Sequence, residues 1–183
     1  MAEPDGVNGP VIRDSRPDDL PQIAAIYAHE VLHGLATFEE VPPSADELGA
    51  RRRAVLDLGL PHLVAEREGA VLGYAYAGLF HARSAYRNTL EDSVYLAREA
   101  RGQGTGRALL GALLARCEAG SWRQMVAVIG NSANLGSIAL HRSLGFAETG
   151  TLKAVGFKHG QWVDVVYMQR ALGAGSNTSA SGE

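Results

Sequence analysis

Between Arg98 and Leu110 the chain reads REARGQGTGRALL, with glycines at 102, 104 and 106 followed by a pair of leucines. A glycine inside a helix costs roughly 1 kcal/mol relative to alanine, so this bare backbone implies a close approach by something else. The apolar run SVYLA just before it reads as a strand. Leu109, Leu110, Leu113, Leu114 and Cys117 follow at helical spacing and give Gly104 to Ala119 one inward face. The segment is therefore a strand, a glycine loop and a helix mouth. Free N–H groups of the first turn and the positive end of the helix dipole make such a mouth an anion site. Arg101 and Arg107 add positive charge, so the stretch reads as a diphosphate cradle.

The rest of the chain supplies the frame. PVIRDS is a first strand, and Ser15 is placed to cap a helix opening at Pro17. Leu20, Ile23, Ala24, Tyr27 and Val31 give that helix its apolar stripe. Ser44 and Glu47 form a capping-box pattern for a second helix ending near Gly59. HLVAERE and AVLGYAYAGLF flank Gly69 as a hairpin. MVAVIG is a buried strand, Asn134 to Leu144 a helix stopped by Gly145, and FAETGTLKAVGFK and VDVVYMQRAL the last two strands. Hairpins followed by strand–helix–strand units predict an α/β (α+β) fold: a mixed, mostly antiparallel central sheet with helices on both faces. Residues 11–172 read as one domain, and the Gly/Ser-rich 173–183 as a disordered tail.

Composition narrows the partners. Seventeen Lys and Arg against 20 Asp and Glu leave a net charge of −3, which argues against nucleic acid or an anionic membrane as the main partner. No apolar run is long enough to span a bilayer. The first ten residues carry acidic groups and no apolar core, so no secretory signal is expected there. A single cysteine, Cys117, allows no internal disulfide and suits a reducing cytoplasm.

Two common diphosphate loops do not fit. A Walker A loop needs Gly-Lys-Ser/Thr, and this one ends Gly-Arg-Ala. A dinucleotide fingerprint needs glycine or alanine where Leu109 stands. What does fit is a resemblance. Arg101-Gly102-Gln103-Gly104-Thr105-Gly106 resembles the R/Q-x-x-G-x-G/A signature of the GNAT superfamily of N-acyltransferases. ARSAYRNTLEDSVYL, VIGNSANLGSIALHRSLGF and GFKHGQWVDVVYMQRAL look like its phosphinothricin and methionine sulfoximine acetyltransferase branch, and the likeness runs from Val11 to Leu172. It implies acetyl-CoA as co-substrate, with no metal. The loop from Arg101 through Arg107 would hold its pyrophosphate. The backbone of Val94, Tyr95 and Leu96, with Asn134 and Ser137, would hold the pantetheine arm, and a Tyr95 or Leu96 amide would serve the oxyanion. The likeness also implies a cytoplasmic homodimer, with Lys158 and His159 in the turn that reaches the partner's site.

Acetyl transfer to an amine needs a base, because an amine near neutrality is mostly ammonium. Glu91 occupies the catalytic position of the branch's T-x-E-x-S-V-Y pattern; the bland alternative is an exposed charge at a strand end. Asp92 should point to the opposite face, and no role is assigned to it. His141, in Asn134-Leu135-Gly136-Ser137-Ile138-Ala139-Leu140-His141, matches the branch's catalytic histidine, as acid or base. Arg83 and Tyr86 match an R-x-x-Y segment suited to an acceptor's carboxylate or phosphinate, and Phe38 could wall the pocket. Cys117, on an apolar helix face, reads as a structural thiol, which favours direct transfer over an acyl-enzyme.

Two other classes compete. HEVLH, His29 to His33, satisfies H-E-x-x-H on a helix and suggests a zinc hydrolase, although the metzincin extension would need glycine where Ala36 stands. A non-catalytic acyl-CoA sensor would share the cradle. Only the enzyme releases free thiol when offered an amine.

Overall fold

The computed structural model describes residues 9–179, so the expectations for the first eight residues and for 180–183 lie outside the described residues. Seven strands form one sheet in the order β1-β2-β3-β4-β5-β7-β6. They are β1 (Val11–Asp14), β2 (His62–Arg67), β3 (Ala70–Leu79), β4 (Thr89–Leu96), β5 (Gln124–Gly130), β6 (Ala147–Lys158) and β7 (Gln161–Ala171). Every neighbouring pair is antiparallel except β4–β5, which is parallel. A parallel pair needs a crossover, and α3 (Thr105–Glu118) supplies it. The expected mixed sheet is therefore found.

Helices cover both faces. On one, α1 (Leu20–His33) and α2 (Ala45–Asp57) pack Ile23, Tyr27, Val31 and Leu48 against Val64 and Tyr74. On the other, α3 and α4 (Leu135–Ser143) pack Leu109, Leu113, Cys117 and Ile138 against Leu90, Met125 and Ile129. Strand alternation assigns β4 to both layers: Leu90, Val94 and Leu96 face α3, while Tyr95 faces α1.

Local chemistry fixes most ends. Ser44 Oγ accepts the Glu47 N–H at 3.1 Å, and Asn134 Oδ1 accepts the Ser137 N–H at 3.2 Å, as caps at α2 and α4. The first helix departs from expectation. Ser15 does not cap it; its buried hydroxyl accepts from Arg52 Nε of α2 at 2.6 Å. The entry is held instead by Asp19, whose carboxylate accepts the Arg16 N–H at 2.6 Å and two Arg13 bonds at 2.8 Å. Residues 173–179 follow β7 as turns, with Thr178 Oγ1 accepting from Arg123 at 3.0 Å.

One detail of the sheet positions everything that follows. The β4–β5 ladder holds only from Thr89↔Gln124 to Asp92↔Ala127. Beyond it β4 stays with β3 as far as Leu96, and β5 stays with β7 as far as Gly130. The two strands part into a V.

Candidate active site

The V is the mouth of a cleft of about 600 Å³, lined by Glu91 to Leu96 on one arm and Ala127 to Gly130 on the other. Its backbone is open for a specific reason. Ala97 N–H donates to Leu72 O and Phe80 N–H to Thr89 O, so odd-numbered residues of β4 bond toward β3. By alternation Val94 and Leu96 turn their N–H and C=O groups into the gap. The Tyr95 amide, expected as one of two possible oxyanion donors, faces β3 instead; Leu96 faces the cleft.

At one end lies the glycine loop. Gly102 (φ +73) and Gly104 (φ +82) are left-handed, a region that glycine enters without a Cβ clash, and a Cβ built at either meets nothing within 4 Å. The loop thus leaves open backbone at the start of α3, as a bound diphosphate requires. Gly106 is different: a side chain there would press on Leu96 and Leu140 at 3.2 Å, so this glycine lets the helix approach the sheet. Arg107 lines the cleft and bonds Ser143 Oγ at 2.7 Å, bracing α3 against α4. Arg101 also lines it and is ion-paired with the nearly buried Glu30 of α1. Gln103 bonds back to Glu99 O, and Thr105 is buried; neither lines the cleft.

At the apex the two faces of the sheet meet. Glu91 lies on the α1 side, where Thr37 and Phe38 wall the cleft. Burial, and then the charge of Asp92, push its carboxyl up to about 7, so it can exchange a proton near neutrality. Asp92 lies on the α4 side, 2% exposed, with Oδ2 3.0 Å from His141 Nε2. The His141 Nδ1 is 2.7 Å from Ser137 O. Ser137 and Asn134, both expected at the site, line the cleft beside it.

The wall carrying Phe38 is pinned from below. Lys158 is 2% exposed and its Nζ donates to Thr37 O at 2.7 Å. The Tyr27 hydroxyl lies 3.0 Å from Thr37 Oγ1 and donates to Glu39 at 2.8 Å. A Cβ on Gly156 would meet the Phe38 ring at 2.7 Å. The Lys158 side chain is therefore turned into its own chain.

These contacts settle where each expected residue lies. Glu91, His141, Val94, Tyr95, Leu96, Arg101, Gly102, Gly104, Gly106, Arg107, Asn134, Ser137 and Phe38 converge on one cleft. Arg83 and Tyr86 do not: they flank a short exposed turn after β3, where Tyr86 packs on His81 with ring centroids 4.9 Å apart. Cys117 is buried and pushed up to about 12 by that burial, which leaves no thiolate at neutral pH.

HEVLH lies on α1 as expected, but Glu30 is held by Arg101 and is not placed to activate a metal-bound water. Among the described residues no three His, Cys, Asp or Glu side chains gather to hold a metal ion. Among them, too, no helix is long and apolar enough to cross a membrane.

A parted β4–β5 pair beside a glycine loop offers the strand backbone and the anion site that the sequence resemblance implied. The model of the acetyltransferase (GNAT) domain matches residues 12–167. The chain belongs to the GNAT acetyltransferases. Among its relatives, phosphinothricin N-acetyltransferase of Alcaligenes faecalis is 59% identical over 91% of this chain and 85% of the relative. An L-methionine sulfoximine/L-methionine sulfone acetyltransferase of Pseudomonas aeruginosa is 42% identical over 88% of this chain and 94% of its own. The crystal structure of a GNAT-superfamily phosphinothricin acetyltransferase from Sinorhizobium meliloti, in complex with AcCoA, superposes with a TM-score of 0.92. It shares 50% identity and covers 95% of this chain and 94% of that one.

Asp92, Ser93 and Thr37 line this GNAT cleft without a role from sequence reasoning, and Glu30 entered that reasoning only as part of HEVLH. A signal for Asp92 exists in retrospect. It shares a strand face with Leu90 and Val94, and a carboxylate on an apolar face requires a partner. Nothing local in the sequence points from Glu30 to Arg101, 71 residues away.

Proposed function

We propose that this chain moves the acetyl group of acetyl-CoA to the α-amino group of a small amino-acid analogue of the phosphinothricin, methionine sulfoximine or methionine sulfone type. The observation that carries this reading is the position of Glu91. A carboxylate pushed up to about 7 stands at the apex of a strand gap whose far end is a glycine-lined anion site. The residues fit the co-substrate: open backbone at Gly102 and Gly104 for the diphosphate, and main-chain groups of Val94 and Leu96 for the amides of the arm. The names of the relatives support the acceptor class.

In this reading Glu91 removes a proton from the acceptor amine, directly or through water, on the α1 side of the sheet. The Leu96 N–H, turned into the gap, stabilises the oxyanion of the tetrahedral intermediate. His141, on the α4 side, is the proton source for the leaving thiolate. Phe38 and Thr37 shape the acceptor pocket. Transfer is direct, because Cys117 is buried and protonated. Among the cleft-lining residues the guanidinium groups are those of Arg101 and Arg107, at the diphosphate end. The acceptor's acidic group therefore needs a cation from elsewhere, and we infer that Arg83 and Tyr86 of a second copy serve it in a homodimer. A cytoplasmic setting suits the one reduced thiol.

Thiol release measured across the three analogues tests the proposal. The protein should release CoA with at least one, and Glu91→Gln should lower that rate by about 10²–10⁴-fold, the usual worth of a general base. Acetyl-CoA affinity should stay within twofold of the parent. Retention of acetyl-CoA binding with no thiol release on any amine would support the non-catalytic sensor instead.

A further inference from the structure

The cleft holds one buried ionic pair whose geometry goes beyond the reading above, on which this inference rests. His141 is 4% exposed on its side chain and Asp92 2%. The imidazole is gripped on both edges. Nδ1 lies 2.7 Å from a main-chain carbonyl, Ser137 O, which only accepts, so Nδ1 carries a proton. Nε2 lies 3.0 Å from Asp92 Oδ2, a second acceptor when ionised. The edge of the Phe146 ring packs against the imidazole, centroids 5.1 Å apart at 87°. The other Asp92 oxygen, Oδ1, is buried with no hydrogen-bond partner among the described residues.

We propose that Asp92 is a positioning residue of the transfer reaction: it holds His141 as a doubly protonated imidazolium at the apex of the strand gap and so keeps a proton in reserve beside the thioester. The pair divides labour across the sheet. Glu91 and Asp92 are adjacent on β4 and face opposite layers, so one carboxylate addresses the amine and the next holds the acid. No net charge is buried on the α4 side, because carboxylate and imidazolium cancel. In the transfer step Glu91 takes one proton from the ammonium, the nitrogen loses a second to water as the tetrahedral intermediate collapses, and the proton on His141 passes to the sulfur as the carbon–sulfur bond breaks. Both groups then re-equilibrate with water.

The groups that feel the Asp92 charge are few. From β4 Glu91 is raised by it after burial, and from α3 Cys117 is raised by burial first and by Asp92 second. Desolvation works against the imidazolium, and the Asp92 bond, its charge and the Ser137 carbonyl outweigh it, so His141 stands above its ordinary value. Facing residues of β5 on this side, Ala127 and Ile129, carry no charge.

The decisive measurement is nitrogen-15 NMR of the His141 ring in the parent protein, followed against pH. Both ring nitrogens should still report protonation above the usual histidine midpoint near 6.5. In Asp92→Asn the midpoint should fall below that of the parent, and the alkaline limb of kcat should fall with it. Affinity for acetyl-CoA should stay within twofold, and Asp92→Glu should restore part of the shift. A parent His141 that is neutral at pH 7, with its proton on Nδ1 alone, overturns the proposal without any variant. So does a folded Asp92→Asn whose kcat profile superposes on the parent's. The proposal is separable from the reading it rests on: full thiol release by Glu91→Gln sinks that reading and leaves the ring titration to decide this one.

Discussion

Each face of the sheet buries one histidine, and the two are held in opposite ways. His62, on the α1–α2 face, lies beside two tyrosines, its ring centroid 5.4 Å from that of Tyr76 and 5.9 Å from that of Tyr74, with both planes nearly parallel to its own. Its Nδ1 is buried with no partner among the described residues, and burial pushes the ring down to about 4, so it is neutral. His141, on the α4 face, is equally buried but meets a carboxylate, and is raised. Burial alone removes a charge; burial with a counter-ion keeps one. The first histidine is packing for the tyrosine layer beneath α1. The second is the one that lines the acetyltransferase cleft.

The comparison breaks most visibly by truncation. His141→Leu leaves the Asp92 carboxyl without its partner in an apolar layer, and should cost about 3–5 kcal/mol of unfolding free energy, as breaking a buried pair does. His62→Phe keeps a ring beside Tyr74 and Tyr76 and should cost less than about 1.5 kcal/mol, the range for volume-conserving swaps. Urea unfolding of both variants at pH 7 reads the difference, and equal losses would remove the distinction between the two sites.

Acid titration sharpens it next. His62 has a folded value below its unfolded one, so the unfolded chain binds the extra proton, and stability falls as pH drops from 6.5 toward 4. The loss is up to about 3 kcal/mol if the ring stays buried. His62→Phe should flatten that part of the curve. His141 has the reverse sign. Its folded value is raised, so its contribution is fully present below pH 6.5 and is lost as pH rises through the folded value. An unfolding curve for the parent that is flat between pH 4 and 6.5, with His62→Phe unchanged, would show that His62 is hydrated.

These contrasts also mark what the sequence could express. Apolar periodicity and caps fixed the helices and strands, because Ser44 and Asn134 act within four residues of themselves. The cradle was legible because left-handed backbone selects glycine at 102 and 104. Glu91 was found through its pattern, yet its raised proton affinity comes from burial that no local pattern states. Asp92 was set aside by a correct rule, alternation, that omitted the parting of β4 and β5; once the ladder ends at Asp92↔Ala127 the cleft reaches both faces. Ser15, Glu30 and Lys158 find their partners 37, 71 and 121 residues away, beyond any local signal.

Glu91 extends the comparison to a half-buried group with no counter-ion among the described residues. It has no hydrogen-bonded cation, only burial and a like-charged neighbour, and its folded value of about 7 lies above the unfolded 4.5. Between those values the folded state binds more protons than the unfolded one, so stability falls as pH rises from 4.5 to about 7 and stays lower above it. Glutamine has nearly the same shape and no charge to desolvate. Glu91→Gln should therefore unfold at higher urea than the parent at pH 8, by about 1–2 kcal/mol after allowance for the group's partial exposure to water. At pH 4 the two proteins should be equally stable. The same substitution that would remove the proposed base thus stabilises the fold, as expected where a site holds a charge for its reactivity and the rest of the structure tolerates it. A variant no more stable than the parent at pH 8 would mean that Glu91 is solvated, and with it the reason for its proton affinity near neutrality would go.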